Sequence, residues 1–356
     1  SKDLIKWRKH PDNPIINPDP RWYENEDNMP LGNVRCSDPH LYWDYSWYYV
    51  FYCARDNWGE ILKRGCIGLA RSDDLLHWQH LPPAYRSLKY KYCEVPRIFS
   101  HSRFYYIVYG TNYPQRAIRY VMSRNLLKNY YQPDNELLLE DWVYSLFPVY
   151  WKNEWVALFQ NYGRIGKNDN GSVVRNCLSI PFKIDFDNSG HIHLRLWKEI
   201  NHVYKKRKDL TGTLKPADNK VKINWYRNTS YKLASHDFSN GILILDFELQ
   251  TEGVIGLLLR FDPSSSQGYA VVLDKQLITF LNIPDSIPVA SRPIRWLDKK
   301  LYQLVVIARE EYFDLLVNNE LMMSIPHYRN KSGKVGVVTE SEFDKIVSLT
   351  VWEEEK

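Results

Sequence analysis

Two acidic residues stand in similar surroundings in this sequence. Asp38 directly precedes Pro39, and Glu94 stands two residues before Pro96. Each opens a short apolar segment of the same layout, so the two side chains are expected to meet in one pocket. Paired carboxylates are the minimum apparatus for cleaving a glycosidic bond: one gives a proton to the leaving oxygen, and another acts as nucleophile or base. Aromatic faces stack on sugar rings, and Trp43, Trp47, Trp58 and Tyr92 are close to the acids in sequence. Ser37, His40 and Arg97 flank the acids and complete a candidate substrate-binding set with Trp43 and Trp58. Each residue also has a plainer role open to it. An acid before proline often caps a turn, a Trp or Tyr packs a core, and His40 can sit between strands. The five cysteines, Cys36, Cys53, Cys66, Cys93 and Cys177, show no CxxC spacing, so no zinc site is expected. No metal or cofactor is implied elsewhere. The serines and histidines form no recognisable triad, and Gly163 and Gly166 stand alone rather than in a phosphate-binding loop.

The elements that must position the acids are read from an internal repeat. One unit runs Asp38-Pro39-His40-Leu41-Tyr42-Trp43, a turn, then Trp47 to Tyr52. The next runs Glu94-Val95-Pro96-Arg97-Ile98-Phe99, a turn, then Phe104 to Tyr109. The third runs Phe147-Pro148-Val149-Tyr150-Trp151, then Lys152-Asn153, then Glu154 to Phe159. Such runs are too short for helices and rich in aromatic and β-branched residues, which favours strands. A further strand follows in the first two units, Ile67 to Trp78 aligning with Ile118 to Asn129. The phrase Ser72-Asp73-Asp74-Leu75-Leu76-His77-Trp78 closes the first unit, and the chain opens on its counterpart, Ser1-Lys2-Asp3-Leu4-Ile5-Lys6-Trp7. Small sheets repeated at regular spacing are propeller blades. Three blades plus one tail strand are visible, fewer than the four to eight blades that propellers typically hold.

From Leu233 the rhythm changes to nine short alternating strands: 241–249, 253–260, 269–274, 276–281, 302–308, 312–317, 321–325, 333–338 and 346–352. With no helical pattern, they read as a two-sheet β-sandwich. The expected organisation is an all-β chain: a β-propeller over 1–200, a linker over 201–232 and a sandwich over 233–356. The linker holds the densest basic stretch, Lys205-Lys206-Arg207-Lys208, followed by Lys215, Lys220 and Lys222, which reads as a solvated run.

Composition narrows the partners. Hydrophobic residues are 44% and charged residues 25%, as in a globular chain. The 47 basic and 42 acidic residues leave a net charge of only +5, and no nucleic-acid motif accompanies it. No apolar run reaches the ~18 residues that cross a bilayer. Neither nucleic acid nor membrane is therefore an expected partner. The aromatic share of 15%, with 26 Tyr and 13 Trp, fits a carbohydrate partner. No secretory leader is recognisable and the chain starts at Ser1, which leaves the compartment open.

These residues resemble family 32 of the glycoside hydrolases, the invertase, inulinase and levanase group. Cys36-Ser37-Asp38-Pro39 resembles the family's Arg-Asp-Pro motif, and Cys93-Glu94-Val95-Pro96 resembles its Glu-Cys-Pro motif. The two acids are 56 residues apart (94 minus 38), a gap of the family's kind. Upstream, Asn13-Pro14-Ile15-Ile16 is similar to its Asn-Pro-Val-Ile segment. Downstream, Leu178-Ser179-Ile180-Pro181 is similar to its exit from the propeller, and Ser348 to Trp352 to its sandwich terminus. The resemblance implies a five-bladed propeller followed by a β-sandwich, acting on β-fructofuranosides such as sucrose, inulin or levan by a retaining mechanism. Glu94 would be the acid/base, and Asp38 would hold furanose hydroxyls and steady the transition state. Three departures matter. Ser37 replaces the family's Arg, Val95 replaces its Cys, and the nucleophile's Asn-Asp-Pro-Asn-Gly motif is absent from these 356 residues. Together with the opening repeat, this implies blades supplied by an N-terminal segment or a second chain. Three alternatives stay open. The chain is a carbohydrate-binding protein without catalysis, or one subunit of a split enzyme. Or it is an arabinan- or arabinofuranoside-type glycosidase with Asp38 as the first-blade acid.

Overall fold

The computed structural model describes residues 1–217, 230–248, 253–274, 276–285, 287–294, 301–340 and 345–355. Lys220 and Lys222 of the basic stretch, and Leu249 at the end of the first expected sandwich strand, lie outside them. The chain divides into two compact units, one of residues 1–149 and 186–192, the other of residues 150–185 and 193–356.

In the first unit, β1 (Cys36–Trp43), β2 (Tyr48–Arg55), β3 (Gly65–Ser72) and β4 (Gln79–Arg86) form an antiparallel sheet in chain order. The strands β5 (Glu94–His101), β6 (Phe104–Thr111), β7 (Ala117–Ser123) and β8 (Leu137–Glu140) form a second sheet of the same order. These are the first two blades. Their facing sides bury one cluster, including Phe51, Ile67, Leu69, Ile98, Ile107, Tyr109 and Val121. The aromatic and β-branched strands of the repeat are what fill it. The other face of the first sheet is covered by Tyr23 with Trp22 and Ile16, packed on Val50, Tyr52 and Ala70.

β9 (Val143–Trp151) carries the chain towards the second unit. With β10 (Glu154–Arg164), β11 (Val173–Leu178), β12 (Phe182–Phe186) and β13 (Ile192–Leu196) it forms a five-stranded sheet, the third blade, in the order β11-β10-β12-β13 with β9 paired to β10. The strands that follow are β14 (Tyr204–Asp209), β15 (Lys215–Pro216), β16 (Ser230–Phe238), β17 (Gly241–Glu248), β18 (Ile255–Asp262), β19 (Gln267–Leu273) and β20 (Leu277–Ile283). Then come β21 (Ile287–Pro293), β22 (Tyr302–Arg309), β23 (Tyr312–Val317), β24 (Glu320–Pro326), β25 (Gly333–Thr339) and β26 (Lys345–Glu354). They make a sandwich of a six-stranded sheet, β14-β26-β17-β22-β23-β24, and a seven-stranded sheet, β15-β16-β25-β18-β19-β20-β21. The fold is therefore all-β, propeller blades followed by a β-sandwich.

Two local expectations change. The basic stretch read as linker contains β14, whose Arg207 and Lys208 lie opposite Trp352 and Val351 of β26. Lys205 to Asp209 are exposed, so the charges stay in water while the backbone completes a sheet edge, which suits an edge strand. Ser1–Trp7 is likewise not a strand but the repeat's turn. Asp3 Oδ1 accepts the backbone N–H groups of Ile5 (3.0 Å) and Lys6 (2.9 Å), and the Trp7 indole donates to the Leu4 carbonyl (3.1 Å). Asp74 does the same for Leu76 and His77 (both 2.8 Å), and Trp78 for Leu75 (3.2 Å). Leu4 and Leu75 share a left-handed backbone, φ 58° and 67°.

Candidate active site

The acids meet at one end of the first two sheets because the first strand of each is bulged. On β1 the pairing with β2 passes from Ser37–Cys53 to His40–Phe51, and on β5 the pairing with β6 passes from Glu94–Gly110 to Arg97–Val108. Each bulge turns on a left-handed residue, Asp38 at φ 57° and Val95 at φ 48°; β9 has one too, Ser145 at φ 48°. Bulges of this kind bend a strand and re-aim its side chains. This corrects the sequence register by one residue. Asp38 is the counterpart of Val95 and Ser145, whereas Glu94 is the counterpart of Ser37 and Tyr144. The prolines keep the true register, Pro39 following Asp38 as Pro96 follows Val95; matching acid to acid is what shifts it.

The acids nevertheless converge. Arg35 Nη2 lies 2.8 Å from Glu94 Oε1 and 3.5 Å from Asp38 Oδ2. Asp38 Oδ2 also accepts the backbone N–H of Val95 at 3.3 Å. Glu94 is buried, and its Oε2 accepts Tyr144 O–H at 2.9 Å and Asn112 Nδ2–H at 3.2 Å. Tyr144 reaches it across Gly110, where a Cβ would stand 3.3 Å from the Tyr144 ring. Arg35 is held in turn: its Nε donates to Cys53 Sγ at 3.4 Å and its guanidinium lies 5.0 Å from the centre of the Tyr92 ring. Burial disfavours the Arg35 charge, but Cys53, Glu94 and Asp38 outweigh it and raise the pKa. Burial pushes the Cys53 thiol up to about 12, against the pull of Arg35. Arg35, Asn112 and Tyr144 were not singled out in the sequence. Only the closeness of Arg35 to Asp38, three positions on, could have signalled it.

The other expected site residues separate. The backbone N–H of Ile98 donates to His40 Nδ1 at 3.0 Å, so the neutral ring fastens β1 to β5 with its proton on Nε2. Burial, aided by Arg97, lowers the His40 pKa to about 4. Arg97 donates to the Pro96 carbonyl and lies 5.0 Å from the centre of the Phe147 ring, and burial lowers its pKa. Ser37 Oγ is buried with no hydrogen-bond partner among the described residues. Trp43 is not gathered with the acids. It lies five residues along β1 from Asp38, roughly 16 Å at ~3.3 Å per residue, half-exposed against Tyr45 with ring centres 4.7 Å apart. Trp47 is covered by Arg71, 4.6 Å from its ring centre. Trp58 lines a separate cavity with Asp56 and Arg86.

Behind Tyr92 the first sheet is fixed by a buried ion cluster. Arg55 donates to both oxygens of Glu24, at 2.6 and 3.0 Å, and Arg64 adds a bond of 3.0 Å. The remaining Arg55 donors go to the carbonyls of Lys91 and Ile61. A cluster satisfied on every side is rigid, and it backs the wall that carries Tyr92 and Arg35.

No protein-family model matches the chain, and no curated protein matches it in sequence. Solved structures do match it in fold. Fructan 1-exohydrolase IIa from Cichorium intybus superposes with a TM-score of 0.71 at 13% identity, over 99% of this chain and 76% of that one. Sucrose-6-phosphate hydrolase from Lactobacillus gasseri gives 0.67 at 15% identity, over 92% and 68%. A family 32 β-fructofuranosidase from Bombyx mori gives 0.66 at 13% identity, over 100% and 71%. A mutant of the Bombyx enzyme has been solved with sucrose and one of the Cichorium enzyme with 1-kestose. At such identities the likeness is one of fold: this chain shares the propeller-and-sandwich architecture of family 32 glycoside hydrolases.

Proposed function

We propose that the chain acts on β-fructofuranosides of the sucrose, inulin or levan type, with Glu94 as the acid/base and Asp38 as the group that holds the sugar's hydroxyls. The observation that carries this reading is the single Arg35 nitrogen shared by the two carboxylates. Glu94 would pass its proton to the leaving oxygen as the glycosidic bond breaks and a nucleophile, for which these residues hold no recognisable motif, bonds to the anomeric carbon in its place. Water, giving a proton back to Glu94, would then release the sugar, and Asp38 would steady the positive charge that develops on the ring. The fold it shares with known β-fructofuranosidases supports the substrate class. The test is hydrolysis of sucrose, inulin and levan by the chain and by Glu94→Gln. The variant is expected to lose roughly 10²–10⁴-fold in kcat. Equal rates for the two proteins, or no action on any of the three sugars, would overturn the reading.

One measurement favours a second role for Asp38. Two oxygens that lie 2.8 and 3.5 Å from the same nitrogen are at most about 6.3 Å apart, which admits the ~5–5.5 Å of retaining pairs and falls short of the ~6.5–9.5 Å of inverting ones. Asp38 could then be the nucleophile, bonding to the anomeric carbon as the leaving group departs, with water later breaking that bond. Azide separates the roles. An Asp38→Ala variant rescued by azide, releasing a glycosyl azide, identifies a nucleophile, whereas a stabilising residue gives no rescue.

A further inference from the structure

Resting on the reading of Glu94 as acid/base, we propose that its proton is held on Oε2 and that Asn112 receives the leaving sugar beside that oxygen. The two oxygens of Glu94 are held by unlike donors. Oε1 accepts Arg35 Nη2 at 2.8 Å. A guanidinium has donors only and keeps its charge in a protein, and its bonds are strongest to a charged oxygen. A proton on Oε1 would weaken that bond. Oε2 accepts Tyr144 O–H at 2.9 Å and Asn112 Nδ2–H at 3.2 Å, and both of these partners can adapt. A tyrosine hydroxyl accepts as well as donates, and an amide carries an acceptor oxygen beside its nitrogen. The neutral carboxyl therefore carries its hydrogen on Oε2.

The choice of oxygen fixes the side on which the leaving group stands. Proton transfer needs the leaving oxygen within about 2.6–3.2 Å of Oε2. That oxygen then comes within about 6 Å of Asn112 Nδ2, itself 3.2 Å from Oε2. Tyr144 is buried, whereas Asn112 is exposed, one residue past the end of β6. Of the two donors, Asn112 is thus the one that can meet a sugar hydroxyl. Its place is set from both sides. Glu94 pairs with Gly110 two residues before it, and Thr111 Oγ1 donates to the Gln115 carbonyl at 2.9 Å across the turn that follows. While Glu94 is charged, Asn112 bonds it. When the proton arrives on Oε2 that bond is given up, and the amide turns to the leaving sugar. The ring whose bond breaks lies on the other side, where Arg35 joins Oε1 to Asp38.

Binding tests this without any need for turnover. Glu94→Gln copies the neutral acid: its carbonyl takes the place that must accept Arg35, and its N–H₂ stands where the acid has its O–H. The full chain carrying Glu94→Gln is titrated by calorimetry with sucrose and with methyl β-D-fructofuranoside. The second ligand has a methyl group in place of the leaving sugar and no hydroxyl there to offer Asn112. The same titrations are made after adding Asn112→Ala. Sucrose is expected to bind about three- to tenfold more weakly, the worth of one hydrogen bond to a neutral hydroxyl. The methyl fructoside is expected to change by less than about twofold. Equal weakening of both ligands would mean that Asn112 only props the carboxyl, and would overturn its role towards the leaving sugar. Unchanged sucrose binding would overturn it as well. If neither ligand binds the Glu94→Gln chain, the substrate class itself is struck down, and the role of Asn112 with it. Asn112 is exposed, so alanine there removes no core contact, and near-UV circular dichroism checks that the double variant is folded.

Discussion

A guanidinium between two carboxylates fixes their spacing more firmly than either strand could, and here Arg35 holds that place. The acids themselves were legible in the sequence, because acid and proline recur at the head of two apolar runs. Their partners were not. Tyr144 and Asn112 reach Glu94 from 50 and 18 residues away, and nothing in their local sequence marks them. His40 was legible as a residue of the site but not as a strand fastener, since only the fold brings Ile98 to its ring. Its depressed pKa gives a prediction with a defined sign. The folded state keeps His40 neutral down to about pH 4, while the unfolded chain takes up its proton near pH 6.5. Between these values the unfolded state binds more protons, so stability is full above pH 6.5 and falls as pH drops towards 4. His40→Asn keeps an acceptor near the place of Nδ1 without a titrating ring. Denaturant midpoints measured from pH 7 to 4 should fall less steeply for that variant than for the wild type. Buried His327 titrates with the same sign and is common to both proteins, so their difference isolates His40. Parallel curves would show that His40 does not couple folding to pH.

Strands were easier to read than their irregularities. The nine expected sandwich strands all appear, as β17 to β20 and β22 to β26, because alternation in a two-sided core leaves a clear pattern. The strands β14, β15, β16 and β21 were missed; β14 is almost wholly basic, and β21 carries prolines at its second and last positions. The bulge of β5 was missed because a β-branched residue such as Val95 is a poor candidate for left-handed backbone, yet it holds φ 48°. The strain sits where Glu94 must be aimed, as strain at functional sites often does. The sandwich has its own cryptic fastener. Arg260, fully buried on β18, donates to the carbonyls of Ser239, Glu310 and Asn330 and to Asn240 Oδ1. It thereby ties the β16–β17 and β22–β23 turns to the segment before β25. Arg260→Met would leave three carbonyls without this donor, at about 1–3 kcal/mol each where they stay dry. A loss of at least ~3 kcal/mol is expected in urea unfolding followed by sandwich tryptophan or circular dichroism signals. Arg260→Lys should recover little, since an ammonium lacks the planar fork. A loss under ~1 kcal/mol for the Met variant would mean the turns hold without the arginine.

At the scale of the molecule, the repeat was the most legible feature, because each blade reuses one strand–turn–strand layout and the opening segment repeats the first blade's side-chain-capped turn. Less legible was how the blades would be shared out. The first two sheets form one compact unit, while the third blade clusters with the sandwich, a grouping set by long-range packing rather than by any composition shift in the sequence. Arg35, Asp38, Glu94, Asn112 and Tyr144 all belong to the first unit, and this has a thermodynamic consequence. A ligand that binds only the folded form of one unit stabilises that unit by RT ln(1 + [L]/Kd), ~2.7 kcal/mol at a hundredfold excess over Kd. Two units with separate cores need not unfold as one. Calorimetry of Glu94→Gln, which should bind without cleaving, is expected to resolve two transitions, with sucrose raising only the one assigned to the first unit. Arg260→Met should lower only the other. Opposite responses to ligand and mutation would place sugar binding in the first unit and the fastener's energy in the second. A single transition moved by both perturbations would show instead that the two units are one cooperative body.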